Sequence, residues 1–123
     1  MTHRHPTVLI VDDNDDVREV LAFYVGRAGY AVDTARDGAE ALEKMRAMCP
    51  CIVVLDLAMP GMTGVDFRFA QLADKAIKHV PVLVCSATID IRETSQKIGA
   101  VAFAEKPIEA EALMALIREH CLK

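Results

Sequence analysis

Short apolar runs rich in β-branched residues alternate five times with stretches whose apolar residues recur at helical spacing, and no other feature limits the fold so tightly. Strong runs occupy residues 7–11, 51–55 and 80–85, with weaker ones at 30–35 and 100–104. Val17, Val20, Leu21, Tyr24, Val25 and Ala28 stripe a first helix, closed by Gly29. Asp37, followed three residues later by Glu40, opens a second helix through Leu42, Met45 and Met48. Val65, Phe69 and Leu72 predict a third. Residues 90–98 offer only Ile91 and Ile98 as large apolar groups, so the fourth helix is expected to be the least firmly held. Residues 109–121 carry Leu113, Leu116 and Ile117 on one side of a fifth.

Repeated strand–helix pairs predict a parallel sheet with helices on both faces. Right-handed crossovers then give a single α/β domain over residues 1–123 of the 123-residue chain. Its core is a doubly wound five-stranded sheet of order 2-1-3-4-5, the flavodoxin-like (βα)5 arrangement. No linker or compositional break divides the chain, and no output domain is expected in it. Such sheets bind ligands at the carboxyl ends of the strands, beside the switch point between strands 1 and 3.

The residues at those ends carry the chemistry. The first strand ends in Asp12-Asp13 and the third in Asp56. Adjacent strands would bring three carboxylates together, and each close pair costs about 3–4 kcal/mol at ~4–5 Å and an effective dielectric near ~20. A proton or a cation must resolve that. An all-oxygen site favours a hard ion, Mg2+ before Ca2+ or Zn2+. The fourth strand ends in Ser86 and the fifth in Lys106, followed by Pro107. Acids, a metal, a hydroxyl and an ammonium on one rim describe a phosphoryl site. Asp15 and Asp16 read instead as acids at a helix start, and Met59, Pro60 and Gly61 as residues that shape a loop.

Composition narrows the function classes. With Lys+Arg 14 against Asp+Glu 18 the formal net charge is -4, which argues against direct nucleic-acid binding. No apolar run reaches the ~18–20 residues of a membrane span, and Met1-Thr-His-Arg-His-Pro6 lacks the apolar stretch of a signal peptide, so a cytoplasmic location is expected. Cys49, Cys51, Cys85 and Cys121 match neither a zinc spacing nor a redox Cys-x-x-Cys pair, and are expected to be structural or inert, Cys85 as a small core residue. Met45, Met48 and Met114 read as core; His3, His5, His79 and His120 are scattered and none looks catalytic.

Four motifs in order, Val8-Leu-Ile-Val-Asp-Asp13, Asp56-Leu-Ala-Met-Pro-Gly-Met-Thr-Gly64, Pro81-Val-Leu-Val-Cys-Ser-Ala87 and Lys106-Pro107, make the chain resemble the receiver domain of bacterial two-component response regulators over nearly its full length. The resemblance implies that Asp56 accepts a phosphoryl group from a phosphohistidine of a sensor kinase or phosphotransfer protein. Asp13, Asp56 and the backbone carbonyl of Ala58 would bind Mg2+ directly, and Asp12 through water. Lys106 would contact the phosphoryl oxygens, Ser86 would move to hydrogen-bond the phosphate, and Phe103 would rotate inward behind it. The Lys106–Pro107 bond would be cis. A downstream effector would meet the face of the fourth helix, fifth strand and fifth helix, and the chain would be a monomer or a phosphorylation-dependent dimer. It would be a stand-alone receiver or one excised from a longer regulator or hybrid kinase. Ala58 departs from a position often polar in this family, so self-hydrolysis is not expected to be fast, although Thr88 would partly compensate.

Other functions are weighed on the same residues. A haloacid dehalogenase-like phosphatase also forms an aspartyl phosphate, but wants a second Asp two residues after the nucleophile, where this chain has Ala58. A flavodoxin-like electron carrier wants a hydroxyl-rich first loop and stacking aromatics, and Trp is 0 here. A receiver fold kept only for protein interaction would not need the complete phosphate site.

Overall fold

The computed structural model of the chain describes residues 6–121. Strands β1 (Thr7–Val11), β2 (Ala31–Ala35), β3 (Ile52–Leu55), β4 (Val82–Ser86) and β5 (Ala102–Glu105) alternate with helices α1 (Asp15–Arg27), α2 (Gly38–Met48), α3 (Gly64–Leu72), α4 (Ile91–Lys97) and α5 (Ala110–His120). The strands form one parallel sheet in the order β2-β1-β3-β4-β5, with Val11 level with Ala35 and Leu55. The predicted topology is the observed one.

Alternate residues of the strands feed two cores, as period-2 geometry requires. On one face Leu9, Val11, Val53 and Val84 pack against Leu42, Met45 and Phe67. On the other, Val8, Ile10, Ile52 and Leu83 pack against Leu21 and Val25 of α1 and Leu113 and Ile117 of α5. Strands buried on both sides explain the near-continuous apolar runs. Met45 and Met114 lie in these cores as expected, and Met48 packs on the edge of one.

Two helical stripes need correction. In α3 the expected face of Val65, Phe69 and Leu72 is not the buried one: Phe69 is 60% exposed, and the helix buries Gly64, Phe67, Arg68 and Gln71. The reason is a polar network. The Arg68 guanidinium donates to the carbonyls of Ile98 (2.9 Å) and Gly99 (3.1 Å) and to Gln71 Oε1 (2.8 Å), while Gln71 Nε2 donates to the carbonyls of Ile77 and Val80. With every partner supplied, two long polar side chains can occupy a core face. In α1, Leu21 and Val25 are buried, but Val20, Tyr24 and Ala28 are exposed.

The expectation for the fourth helix holds at one end. Asp90 makes no side-chain cap at the start of the seven-residue α4, and neighbouring Ile89 is 97% exposed. The other end is fastened by Arg68. The cysteines also differ from simple inert thiols. Cys85 is a buried free thiol and Cys49 an exposed one, but Cys51 and Cys121 form a disulfide across a sequence separation of 70. Their Cα atoms lie 5.0 Å apart because the end of α5 packs over the start of β3, a proximity that linear spacing does not encode. His3 and His5 lie outside the described residues.

Candidate functional site

The site is assembled by backbone pairing that runs one residue past the strands. The Asp12 amide donates to the Ala35 carbonyl, the Asp56 amide to the Val11 carbonyl and the Lys106 amide to the Ser86 carbonyl. Asp12, Asp56, Ser86 and Lys106 are thereby fixed on one rim of the sheet. Carboxylate oxygens of Asp12, Asp13 and Asp56 all lie within 4.8 Å of one another. Asp12 and Asp56 are buried (2% and 6% exposed), while Asp13 faces solvent.

Lys106 closes the mouth. Its Nζ donates to Asp12 Oδ2 at 2.6 Å and stands 3.6 Å from Asp56 Oδ2. Burial alone would pull its pKa down, but the hydrogen bond to Asp12 and the charges of Asp56 and Asp12 raise it, so the amine is a firm cation. Burial pushes the Asp56 carboxyl above its ordinary value of 3.8; Lys106 opposes this, the Asp12 charge adds to it, and Ser86 and the Ala58 amide oppose it again. The rise is chiefly an effect of burial. The all-oxygen donor set of the acid cluster fits a hard divalent cation such as Mg2+.

The surroundings hold this arrangement open. Asn14 caps α1 by accepting from the Val17 amide, and its own amide donates to Asp12 Oδ1. The Arg18 guanidinium donates to the Asp12 carbonyl at 2.7 Å and pairs with Asp15. Neither Asn14 nor Arg18 stands out in the sequence; an Asn directly after the acid pair, at the start of an apolar stripe, is the cap signal that would have found the first. After Asp56 the chain turns into α3 through Gly64, whose amide donates to the Leu57 carbonyl.

On the far side, Ser86 is fully buried and its Oγ shares a 2.9 Å hydrogen bond with Thr88 Oγ1. Phe103 is half-buried against the core, and the Arg92 guanidinium covers its ring at 5.5 Å from the centroid. The Lys106–Pro107 bond is cis. His79 and His120 lie elsewhere, beside Cys49 and Glu119 respectively. Next to the rim, Val17, Val20, Leu21 and Tyr24 of α1 face Pro107 and Ile108 across an apolar groove of about 480 Å3, with Lys106 at its end.

A doubly wound sheet with an acid cluster, a lysine and a buried hydroxyl at its carboxyl edge defines a phosphoryl-handling signalling domain. The chain belongs to the response regulator receiver domain family, which it matches over residues 8–118; it is a receiver domain of two-component signalling. It is 40% identical over 106 residues to protein-glutamate methylesterase/protein-glutamine glutaminase 1 of Anaeromyxobacter dehalogenans, covering 83% of this chain and 30% of that protein. It is 31% identical over 111 residues to the DNA-binding response regulator MtrA of Mycolicibacterium smegmatis, covering 90% of this chain and 48% of that one. The chain thus spans less than half the length of either. Among solved structures, chemotaxis protein CheY4 of Vibrio cholerae aligns with a TM-score of 0.87 at 30% identity, covering 94% of this chain and 98% of the other. No helix among the described residues is long and apolar enough to cross a membrane.

Proposed function

We propose that Asp56 accepts a phosphoryl group from the phosphohistidine of a sensor histidine kinase or phosphotransfer protein, and that the resulting acyl phosphate switches a protein-binding surface. One observation carries the reading: the buried Asp56 carboxylate sits inside the acid cluster with Lys106 Nζ 3.6 Å away. An Asp56 oxygen attacks phosphorus, the N–P bond of the donor breaks, and the imidazole leaves as the neutral base once protonated. Such a transfer asks for alignment and charge neutralisation more than for a strong nucleophile.

Asp13, Asp56 and the Ala58 carbonyl would hold Mg2+, with Asp12 behind a water, and the ion would there neutralise charge on the transferring oxygens. Lys106, drawn off Asp12, would meet the phosphoryl oxygens. Ser86 would exchange Thr88 for the phosphate, and Phe103 would turn into the space vacated behind it, carrying β5 and the uncapped start of α4 with it. The apolar groove between α1 and the Lys106 loop lies beside the site. The effector surface is the face of α4, β5 and α5, in a monomer or a phosphorylation-dependent dimer. The chain works as an acceptor that assists its own phosphorylation and dephosphorylation, in the cytoplasm, and the net charge of -4 speaks against direct nucleic-acid contact by this domain.

The test is intact-mass measurement after incubation with Mg2+ and acetyl phosphate, beside Asp56→Asn. One phosphoryl mass on the wild type and none on the variant is expected; equal labelling of both, or of neither, overturns the assignment.

A further inference from the structure

We propose that Cys51 and Cys121 form a redox couple: a dithiol reductant releases the last turn of α5 from the sheet, and a disulfide oxidant fastens it again. The two sulfurs sit in unlike places. Cys51 immediately precedes the central strand β3, is 8% exposed, and is anchored by its amide to the Thr7 carbonyl at 2.8 Å. Cys121 caps the end of α5, half-buried, with its amide donating to the Ile117 carbonyl. The bond therefore ties the end of the outer helix to the start of the central strand. The apolar face of Leu113, Met114 and Ile117 also holds α5, and its first turn has no side-chain cap at Glu109.

Cys121 is the less buried of the pair, and its sulfur is the one a reductant would reach first. A thiolate of the reductant attacks Cys121 Sγ, the S–S bond breaks, and Cys51 leaves as a thiolate that takes up a proton. The reductant's second thiol then attacks the mixed disulfide, closing its own disulfide and releasing Cys121, also protonated. Two electrons and two protons pass to the protein, and oxidation by a disulfide reverses both steps. Cys85 stays outside this exchange, since burial pushes its thiol up to about 11 and shields it. Exposed Cys49 remains a free thiol in either state and serves as an internal marker.

A cytoplasmic site, the location proposed above, keeps thiols reduced, and disulfides there are as a rule transient or sensory. The effect on signalling rests on the proposed α4–β5–α5 output face, because α5 is part of it; the redox couple itself does not. Redox state would be a second input to that face, independent of Asp56.

The experiment uses the whole chain in its wild-type and Asp56→Asn forms. After treatment with oxidised glutathione, denaturing alkylation should leave Cys51 and Cys121 unmodified, and peptide mapping should show the two joined to each other and not to glutathione. Thioredoxin with its reductase, or dithiothreitol, added without denaturant should open the bond in both forms and leave four alkylatable cysteines. Amide exchange at residues 117–121 should then quicken by about tenfold or more, with β1 unchanged. Cys121→Ser should show the fast exchange whatever the redox treatment. Four alkylated cysteines after oxidation, a bond that native reductant cannot open, or equal exchange in both states would each overturn the proposal. Because Asp56→Asn is expected to respond like the wild type, a failure to phosphorylate leaves the redox result standing on its own.

Discussion

Lys106 lies nearer to Asp12 than to Asp56: its Nζ is 2.6 Å from the first and 3.6 Å from the second. The ammonium thus occupies the oxygen of an acid that the proposed metal site needs. Lysine and a divalent cation would compete for one cluster, and a bound cation would leave the amine free to reach toward Asp56.

Replacing Lys106 should therefore push two measurements in opposite directions. In Lys106→Ala the cluster loses its resident cation, so calorimetry should show Mg2+ binding severalfold tighter. Labelling of Asp56 by acetyl phosphate should slow by about 10²-fold, the usual loss when one charge-stabilising donor is removed. Unchanged Mg2+ affinity would mean that the ion pair with Asp12 is of no consequence.

Asp56 predicts a pH slope. Its folded-state pKa lies above the ordinary 3.8, burial being the main cause. Between those two values the native chain holds a proton that the unfolded chain has released, so stability falls as pH rises through that window and then levels off. Asp56→Asn lacks this slope. Urea unfolding from acid to neutral pH should show the variant gaining on the wild type and melting a few degrees higher at pH 7, and Mg2+ should close the gap.

Gly64 is required where α3 begins. A Cβ there would stand 2.7 Å from the Asp56 carbonyl oxygen and 2.7 Å from Leu57 Cα, both backbone atoms that cannot step aside. Gly64→Ala should cost about 1–3 kcal/mol by overpacking and displace the acceptor loop, read as lower denaturant resistance and slower labelling. At Gly38 the added methyl meets the thioether of Met62, 2.5 Å from its sulfur, the mobile end of a side chain, so Gly38→Ala should be tolerated far better.

Arg68 fastens the end of α4, and cutting it to Ala leaves the carbonyls of Ile98 and Gly99 and the Gln71 amide oxygen without their donor. Each unsatisfied buried group costs about 1–3 kcal/mol. The bonds to Ile98 and Gln71 are buried and the one to Gly99 only partly so, so Arg68→Ala should lower stability by about 2–6 kcal/mol and speed exchange of the α4 amides before those of β1.

Periodicity and strand-end chemistry made the sheet order and the acid cluster readable, because each depends on local pattern plus a handedness rule. Asp12, Asp56, Ser86 and Lys106 stand together as the strand order requires. The failures share a cause. Arg68 and Gln71 look like surface residues until the carbonyls that satisfy them are located 6–31 residues away, and by the same token Phe69 looked buried when it is not. Cys51 and Cys121 meet only through the closing of the last helix over the third strand. Asn14 and Arg18 act on the backbone of Asp12, and backbone partners carry no letter in a sequence.

Ala58 stands exposed two residues after Asp56, offering that side of the acceptor only a methyl group. A methyl group cannot line up a water for attack on an acyl phosphate, which leaves Thr88, here bonded to Ser86, as the side chain that would partly compensate. The domain would then erase its own message slowly. Memory, in such a circuit, is set by what a single small side chain leaves undone.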